Sequence, residues 1–330
     1  MPFFYILIFI GSCILLVKSG TWVVKALTRI ARFLEWSEFL VSFLLMAFAT
    51  SLPELFVGLS SAFHKLPQLS FGNIIGANIL NLTLGVGIAV LVAGGLKLET
   101  QVARRDALYT ALCGFLPLLL MLDGACSRVD GIVLLGVLAF YLKMIFQEKQ
   151  RFTKVFDKYK RDWTQYKLFL KDLAVFWGGV ALLLAAGEGV VRSARALSLE
   201  MNLPLIFTGI IFVSLGTTLP EITFSLRSIS LGHKEMVLGN FMGSVICNST
   251  LILGLVSLIS PLKITNFSPY LIGILFTSIV AFAFAIFART GKKITKKEAL
   301  ILLGIYIISV SYTHLRAHET SLHLVCRLLL

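Results

Sequence analysis

Charged residues are scarce in this sequence. Only 14% of its 330 residues are Asp, Glu, Lys or Arg, whereas 57% are hydrophobic, and the mean hydropathy is +0.89. Soluble domains contain about 25% charged residues. The composition therefore excludes a soluble globular domain and indicates a membrane protein.

Cysteines are few, and they lack paired spacing. The five are Cys13, Cys113, Cys126, Cys247 and Cys326, and most lie inside apolar segments. This pattern argues against a disulfide framework or a cysteine-based metal site. The N-terminal segment also lacks the basic stretch of a cleaved signal peptide, so we expect it to be retained as the first membrane span.

Long apolar segments recur along the chain, separated by short polar breaks. About 17 to 25 apolar residues are enough to cross roughly 30 Å of hydrocarbon. The pattern predicts an all-α polytopic membrane protein with ten transmembrane helices. These lie near residues 3–24, 37–62, 72–96, 107–122, 131–146, 172–191, 203–228, 237–259, 268–288 and 298–312.

Basic residues outnumber acidic ones by 30 to 17, and they lie mainly in the loops. Lys18 and two arginines near the C-terminus are set aside; of the other 27 basic residues, 22 fall on one side of ten alternating spans. By the positive-inside rule that side is cytoplasmic, so both termini are predicted to lie outside an inner (plasma) membrane. The net charge of +13 thus reflects membrane orientation and does not indicate a nucleic-acid partner.

The chain contains an internal repeat. Residues 50–87 and 217–254 align without a gap at an offset of 167, with 14 of 38 positions identical. The shared positions include Thr-x-Leu-Pro-Glu and, eighteen residues after the glutamate, Gly-Asn-x-x-Gly. Each copy covers the second and third spans of a five-span half, and an odd number of spans inverts the second half. The sequence therefore predicts two inverted five-helix repeats, as in many secondary transporters.

This repeat divides the chain into parts. We predict an N-terminal five-helix half at 1–146, a cytoplasmic basic linker at 147–171 and a C-terminal half at 172–310. The last stretch, 311–330, contains three of the five histidines and interrupts the tenth apolar span. We predict that it is a non-native tail and leave it out of the functional reasoning.

Each copy of the repeat places a glutamate in an apolar segment. Glu54 and Glu221 are costly in hydrocarbon, so we expect both to face a protein interior or an aqueous cavity. Two carboxylates on one cavity repel each other, and either protonation or a bound cation relieves the repulsion. The preceding prolines, Pro53 and Pro220, are expected to free backbone carbonyls one turn earlier.

Further oxygen donors accompany the two glutamates. An all-oxygen set with two carboxylates and no thiolate or imidazole cluster suits hard cations such as Ca²⁺, Mg²⁺ or Na⁺. The backbone candidates are the carbonyls of 47–50 and 214–217. The candidate side chains are Thr50, Ser51, Thr217, Thr218, Ser244, Asn81 and Asn248.

The two T-[ST]-L-P-E blocks, each followed by G-N-x-x-G and then by an asparagine, resemble the alpha repeats of the cation/Ca²⁺ antiporter superfamily. They are most similar to its prokaryotic sodium/calcium exchanger branch, and the resemblance extends to about residue 310. It implies Ca²⁺ and Na⁺ as transported ions, no cofactor, and Ca²⁺ bound by Glu54 and Glu221 with the carbonyls of Thr50 and Thr217. For the sodium sites it implies Ser51, the Ala47 carbonyl, Asn81, the Ser214 carbonyl, Thr218, Ser244 and Asn248.

The sequence departs from the family pattern at three positions. Ala49 replaces the usual glycine before the first Thr-Ser pair, and Ala77 replaces a serine hydroxyl. Asn248 stands where some relatives carry an aspartate, which in the family accompanies potassium co-transport. We therefore expect an exchanger that does not depend on potassium.

The expected function is a Ca²⁺/Na⁺ antiporter that works by alternating access in a lipid bilayer. A monomer suffices, because both repeats lie in one chain. One open alternative uses protons in place of sodium on the same glutamates, and another is a passive divalent-cation channel, against which the inverted repeat argues. A membrane enzyme is disfavoured, because no nucleophile, histidine set or phosphate loop accompanies the carboxylates.

For several other residues we expect structural roles. Glu188 is expected to form an ion pair with Arg192, one turn later. His64 is expected to be a solvated loop residue. Asn73 and Asn240 are predicted to cap helices near the membrane surface. Two glycines of the first repeat are predicted to let helices pack closely: Gly72 and Gly76.

Overall fold

The computed structural model describes most of the chain as helix. The described residues are 2–33, 50–97, 101–148, 163–232, 234–264, 267–290 and 293–328. Ala47 and the first half of the predicted second span lie outside these residues, so the account of that span begins at Thr50.

Ten helical segments follow one another within the described ranges. The first half contains α1 (Pro2–Phe33), α2 (Leu52–Phe63), α3 (Pro67–Ala93), α4 (Gln101–Leu120) and α5 (Arg128–Glu148). The second contains α6 (Trp163–Glu200), α7 (Leu205–Ser230), α8 (235–259), α9 (Phe267–Thr290) and α10 (Lys296–Leu328). Seven of these segments, all except α2, α5 and α10, contain described stretches long and apolar enough to cross a membrane. The order confirms the prediction of two five-helix halves.

Several helices are longer than the predicted spans. α1 continues to Phe33, α6 begins at Trp163 inside the predicted linker, and α10 continues to Leu328 past the predicted end of the tenth span. The physical reason is that backbone hydrogen bonding does not end where the apolar residues end. The linker and the non-native tail stay predictions.

Within the described ranges, three helices contain a π-helical turn. Two of these turns are Asn81–Gly85 in α3 and Asn248–Ile252 in α8, which are equivalent under the 167-residue offset. The third is Gly209–Val213 in α7. A π turn interrupts the regular hydrogen-bond pattern of an α-helix and is frequent at functional sites. The two predicted asparagine ligands, Asn81 and Asn248, therefore each begin a segment of irregular backbone.

Two short antiparallel strand ladders connect the halves in the part of the chain that the structure describes. β1 (Leu96–Lys97) pairs with β4 (Lys293–Ile294), and β2 (Ala125–Cys126) pairs with β3 (Leu262–Lys263). Each ladder joins a loop of the first half to a loop of the second, so the inverted repeat relates one ladder to the other. These strands add to the predicted all-α class without changing it.

The packing separates α1 and α6 from the other helices. The main core contains large buried side chains such as Phe71 of α3, Phe241 of α8 and Phe284 of α9. α1 and α6 share a second cluster, which includes Leu16 and Leu183. This second cluster also reaches α2, α3 and α7, so the α1–α6 pair packs on the side of the main core.

An ion pair joins the two helices of this pair near one end. Arg29 of α1 lies 2.7 Å from a carboxylate oxygen of Asp172 of α6. Together with the shared cluster, this ion pair holds α1 and α6 against each other on the side of the main core.

Candidate cation site

Glu54 and Glu221 reach the interior by different local structures. Thr50 and Ser51 form a turn, and α2 begins immediately after it with Pro53 and Glu54 in its first turn. A proline is tolerated there because the first helical N–H groups have no intrahelical partner. In α7, by contrast, Pro220 lies inside the continuous helix Ser214–Ser230. The predicted disturbance before each proline thus differs between the halves. In the first half a helix begins there, and in the second half a hydrogen bond is missing within a continuous helix.

The two carboxylates are fully buried, and they lie close enough to repel each other when both are charged. Neither oxygen of Glu54 accepts a hydrogen bond of ordinary geometry from the described residues, although the Thr217 hydroxyl lies beside this carboxylate. One oxygen of Glu221 is 3.5 Å from the Ser244 hydroxyl, and the other has no partner among the described residues. Burial without partners is costly for carboxylates. The arrangement is therefore one that a cation or protons would stabilise.

Four of the seven other predicted side-chain donors are also buried with unpaired polar atoms. Within the described ranges, no hydrogen bond of ordinary geometry is made by the hydroxyls of Ser51 and Thr218, by either amide atom of Asn81, or by Oδ1 of Asn248. The Ser51 hydroxyl lies beside the Cys247 thiol. Buried polar groups are usually satisfied, so a set of unpaired oxygens points to a ligand. The Ser214 hydroxyl donates instead to the Ile210 carbonyl.

Two asparagines missed as site residues connect the halves. The Thr50 hydroxyl donates to Asn240 Oδ1 at 3.2 Å, and the Thr217 hydroxyl donates to Asn73 Oδ1 at 3.0 Å. These two bonds are equivalent under the 167-residue offset. The prediction that Asn73 and Asn240 cap helices near the membrane surface is wrong, because both are fully buried inside α3 and α8. The repeated asparagine in G-N-x-x-G was the available signal.

Helices α3 and α7 approach each other backbone to backbone. A Cβ atom added at Gly72 would lie 2.3 Å from the Ile206 carbonyl oxygen, and one at Gly76 would lie 2.4 Å from that of Ile210. Such distances are incompatible with any side chain. This confirms the packing role predicted for the two glycines.

A cavity leads toward the site from one end of the molecule. It has a volume of about 470 Å³ and is lined by residues of α1 and α7 together with Thr50 and Pro53. Two exposed cations, Lys25 and Arg227, lie on its wall. Thr50 connects the cavity to the site, because its hydroxyl is 3.2 Å from that of Ser244.

At the opposite end, α6 is closed against α2. Glu188 of α6 accepts a hydrogen bond from Ser60 at 2.7 Å, binds His64 Nε2 at 2.6 Å and pairs with Arg192 at 2.5 Å. Gly187 would place a Cβ only 3.0 Å from a carbonyl oxygen of α2. The Glu188–Arg192 pair is confirmed. His64 is an exposed turn residue, as predicted, and tertiary packing also brings Glu188 to its ring.

The donor set contains carboxylates and neutral oxygens. In the part of the chain that the structure describes, no three His, Cys, Asp or Glu side chains converge to hold a metal. The site therefore differs from the nitrogen- and sulfur-rich sites that bind zinc or copper.

Two inverted five-helix halves, each with a buried glutamate directed to one interior site, define a multi-pass membrane transporter of the inverted-repeat class. A sequence model of the family described as "Sodium/calcium exchanger protein" matches residues 4–147 and 171–314. The chain belongs to this family, which consists of ion exchangers and not of enzymes. The two matched segments start 167 residues apart, the offset of the repeat.

Individual relatives agree with this placement. The chain is 26% identical to the sodium/calcium exchanger MaX1 of Methanosarcina acetivorans, over 91% of this chain and 96% of the relative. It is 29% identical to the inner membrane protein YrbG of Escherichia coli, over 76% and 79% of the two chains. Among solved structures, the sodium-calcium exchanger NCX_Mj soaked with Na⁺ and Sr²⁺ matches with a TM-score of 0.65 and 25% identity. That match covers 94% of this chain and 99% of the other.

Proposed function

We propose that the protein is an antiporter that exchanges Ca²⁺ for Na⁺ across an inner (plasma) membrane by alternating access. The observation that carries this proposal is the pair of buried, mutually repelling carboxylates, Glu54 and Glu221, with unpaired oxygens. A divalent cation between them balances two negative charges. The relatives named as sodium/calcium exchangers support the choice of ions.

Each predicted ligand has a role in this proposal. Glu54 and Glu221 bind Ca²⁺, and the carbonyls of Thr50 and Thr217 complete its shell. Sodium ions use the neutral donors as well, since a hard cation takes hydroxyl, amide and carbonyl oxygens. These donors are Ser51, the Ala47 carbonyl, Asn81, the Ser214 carbonyl, Thr218, Ser244 and Asn248.

Coupling follows from shared ligands. Ca²⁺ and Na⁺ cannot occupy the same carboxylates together, so binding of one displaces the other. The empty site holds two uncompensated charges, and moving it across the membrane in that state is costly. Only loaded states therefore change their access side, which makes the flux of one ion depend on the other.

The two ends of the molecule support alternating access. One end has the cavity that reaches Thr50, and the other is closed where Glu188 meets α2. We infer that sliding of the α1–α6 pair along the main core opens one end and closes the other. By the distribution of basic residues, the cavity lies on the cytoplasmic side and both termini lie outside. A monomer contains the whole pathway.

Proton coupling is the second candidate. Two buried carboxylates can be neutralised by protons as well as by cations. The unpaired hydroxyls and amides near the glutamates favour sodium, because a proton needs no coordination shell.

The test is ⁴⁵Ca²⁺ uptake into proteoliposomes loaded with sodium, with potassium-loaded and pH-jump controls. We expect uptake that requires an outward sodium gradient and is indifferent to potassium. Uptake driven only by the pH jump would move the assignment to proton exchange. Uptake without any counter-gradient would identify a channel.

The closed end provides a prediction about access. Glu188→Gln removes the charge that holds Ser60, His64 and Arg192, so that end should open more often. The exposed Glu188–Arg192 pair contributes little free energy. The rate at which a maleimide labels Thr21→Cys in the cavity should therefore fall by only about twofold to fivefold. The background carries Cys326→Ser, and the other four cysteines are buried. Arg195→Gln on the same helix is the matched control, and an equal effect of that change would contradict the assignment.

A further inference from the structure

Asn78 lies beside the candidate site but belongs to no repeated motif. It is buried on α3, three residues before the π turn that starts at Asn81. Its equivalent in the second half is Val245, so this amide exists in one half only. A buried amide in an apolar segment needs hydrogen-bond partners. The structure supplies both from the other half.

The partners are two consecutive residues of the π turn in α8. Asn78 Nδ2 donates to the Ser249 hydroxyl at 2.8 Å, and Asn78 Oδ1 accepts from Asn248 Nδ2 at 3.4 Å. With its NH₂ group on the Ser249 hydroxyl, the Asn78 amide presents its oxygen to Asn248. The second then directs the NH₂ group of Asn248 toward Asn78, which leaves Asn248 Oδ1 without a partner among the described residues.

No described residue orients Asn81, the equivalent asparagine of the first half, in this way. Both amide atoms of Asn81 are buried and unpaired within the described ranges. The side chain at the Asn78-equivalent position there, Val245, has no polar atom. The two repeat-related asparagines thus differ, because Asn78 orients the amide of Asn248 and no described residue orients that of Asn81.

We propose that Asn78 is a positioning residue that holds Asn248 with its oxygen available to a cation. This rests on the proposed function, in which Asn248 is a neutral sodium ligand. An amide that can rotate must be oriented when the ion binds, whereas one already held contributes without that cost. The orientation also prevents the NH₂ group, a donor that repels cations, from facing the ion.

The test measures sodium binding in detergent, from the rise in melting temperature during a Na⁺ titration at constant ionic strength with choline chloride. A ligand that binds the folded state stabilises it. We expect Asn78→Ala to raise the half-maximal Na⁺ concentration about fivefold, the size of one lost hydrogen bond. Ser249→Ala, which removes only the hydroxyl that fixes Asn78, should act in the same direction and covers the case that Asn78→Ala fails to fold.

A double-mutant cycle separates positioning from general damage. If Asn78 acts through Asn248, Asn78→Ala should have no further effect on Na⁺ binding in an Asn248→Ala background. Additive effects would overturn the proposal, and so would an equal loss of Na⁺ affinity in Val245→Ala, the same kind of truncation at the equivalent position.

The readout also distinguishes this proposal from the proposed function. If Asn248→Ala leaves Na⁺ binding unchanged, Asn248 is not a ligand and the positioning role is wrong, while sodium-driven Ca²⁺ uptake can still hold. If transport shows no sodium coupling, the exchanger proposal fails, but the binding titration still decides whether Asn78 orients Asn248.

Discussion

Glu54→Gln is expected to abolish Ca²⁺ transport, lowering sodium-driven ⁴⁵Ca²⁺ uptake more than about 100-fold. Glutamine keeps the size of the side chain but removes one of the two charges that balance Ca²⁺. It also removes the repulsion between Glu54 and Glu221, so the ion-free protein should be at least as stable as the wild type. The stabilisation by Ca²⁺, measured as a rise in melting temperature, should disappear.

The control for this change is Glu200→Gln, which neutralises an exposed acid at the end of α6. It should leave uptake and the Ca²⁺-induced stabilisation within about twofold of the wild type, as surface charges contribute little. Substantial sodium-driven uptake by Glu54→Gln would show that this carboxylate is not a Ca²⁺ ligand. Unchanged uptake that needs no counter-gradient would remove the antiporter proposal altogether.

Gly72→Ala should have the second large effect, on folding. Its Cβ would lie 2.3 Å from the Ile206 carbonyl oxygen and 3.1 Å from the Ile206 Cα, both backbone atoms that cannot rotate away. Forcing α3 and α7 apart should lower the melting temperature by about 5 °C or more, given overpacking costs of about 1–3 kcal/mol. Exchange should fall as well, because the same two helices carry Asn73 and Thr217, which bind each other.

Gly136→Ala is the matched control on α5. No neighbouring atom lies within 4 Å of the Cβ that this change would add. Alanine also favours a helix more than glycine does. Its melting temperature should be unchanged or slightly higher. A Gly72→Ala protein as stable and active as the wild type would contradict backbone contact between α3 and α7.

The sequence by itself determined the class, the symmetry and the main ligand candidates. Apolar length specifies spans because the bilayer has a fixed thickness. The ungapped repeat of Glu54 and Glu221 indicated inversion, since each copy sits in a half with an odd number of spans. Acids in apolar segments are expensive, so their presence alone marked them as functional candidates. The membership of the chain in the sodium/calcium exchanger family agrees with these inferences.

Only the tertiary structure decided which groups meet. The bonds from Asn73 to Thr217 and from Asn240 to Thr50 join residues that are 144 and 190 positions apart. The strand ladders and the contact between His64 and Glu188 likewise join distant segments. No local propensity specifies such contacts, because they depend on the rotation and sliding of each helix against its neighbours.

The same reason explains the π turns and the role of Asn78. A π turn is a rare single-turn bulge within an α-helix, and no residue type in the sequence specifies it, so packing selects it. From the sequence alone, an isolated asparagine in an apolar helix indicates only a cost in free energy. It becomes a positioning residue only where the opposite half brings Asn248 and Ser249 to its two amide atoms.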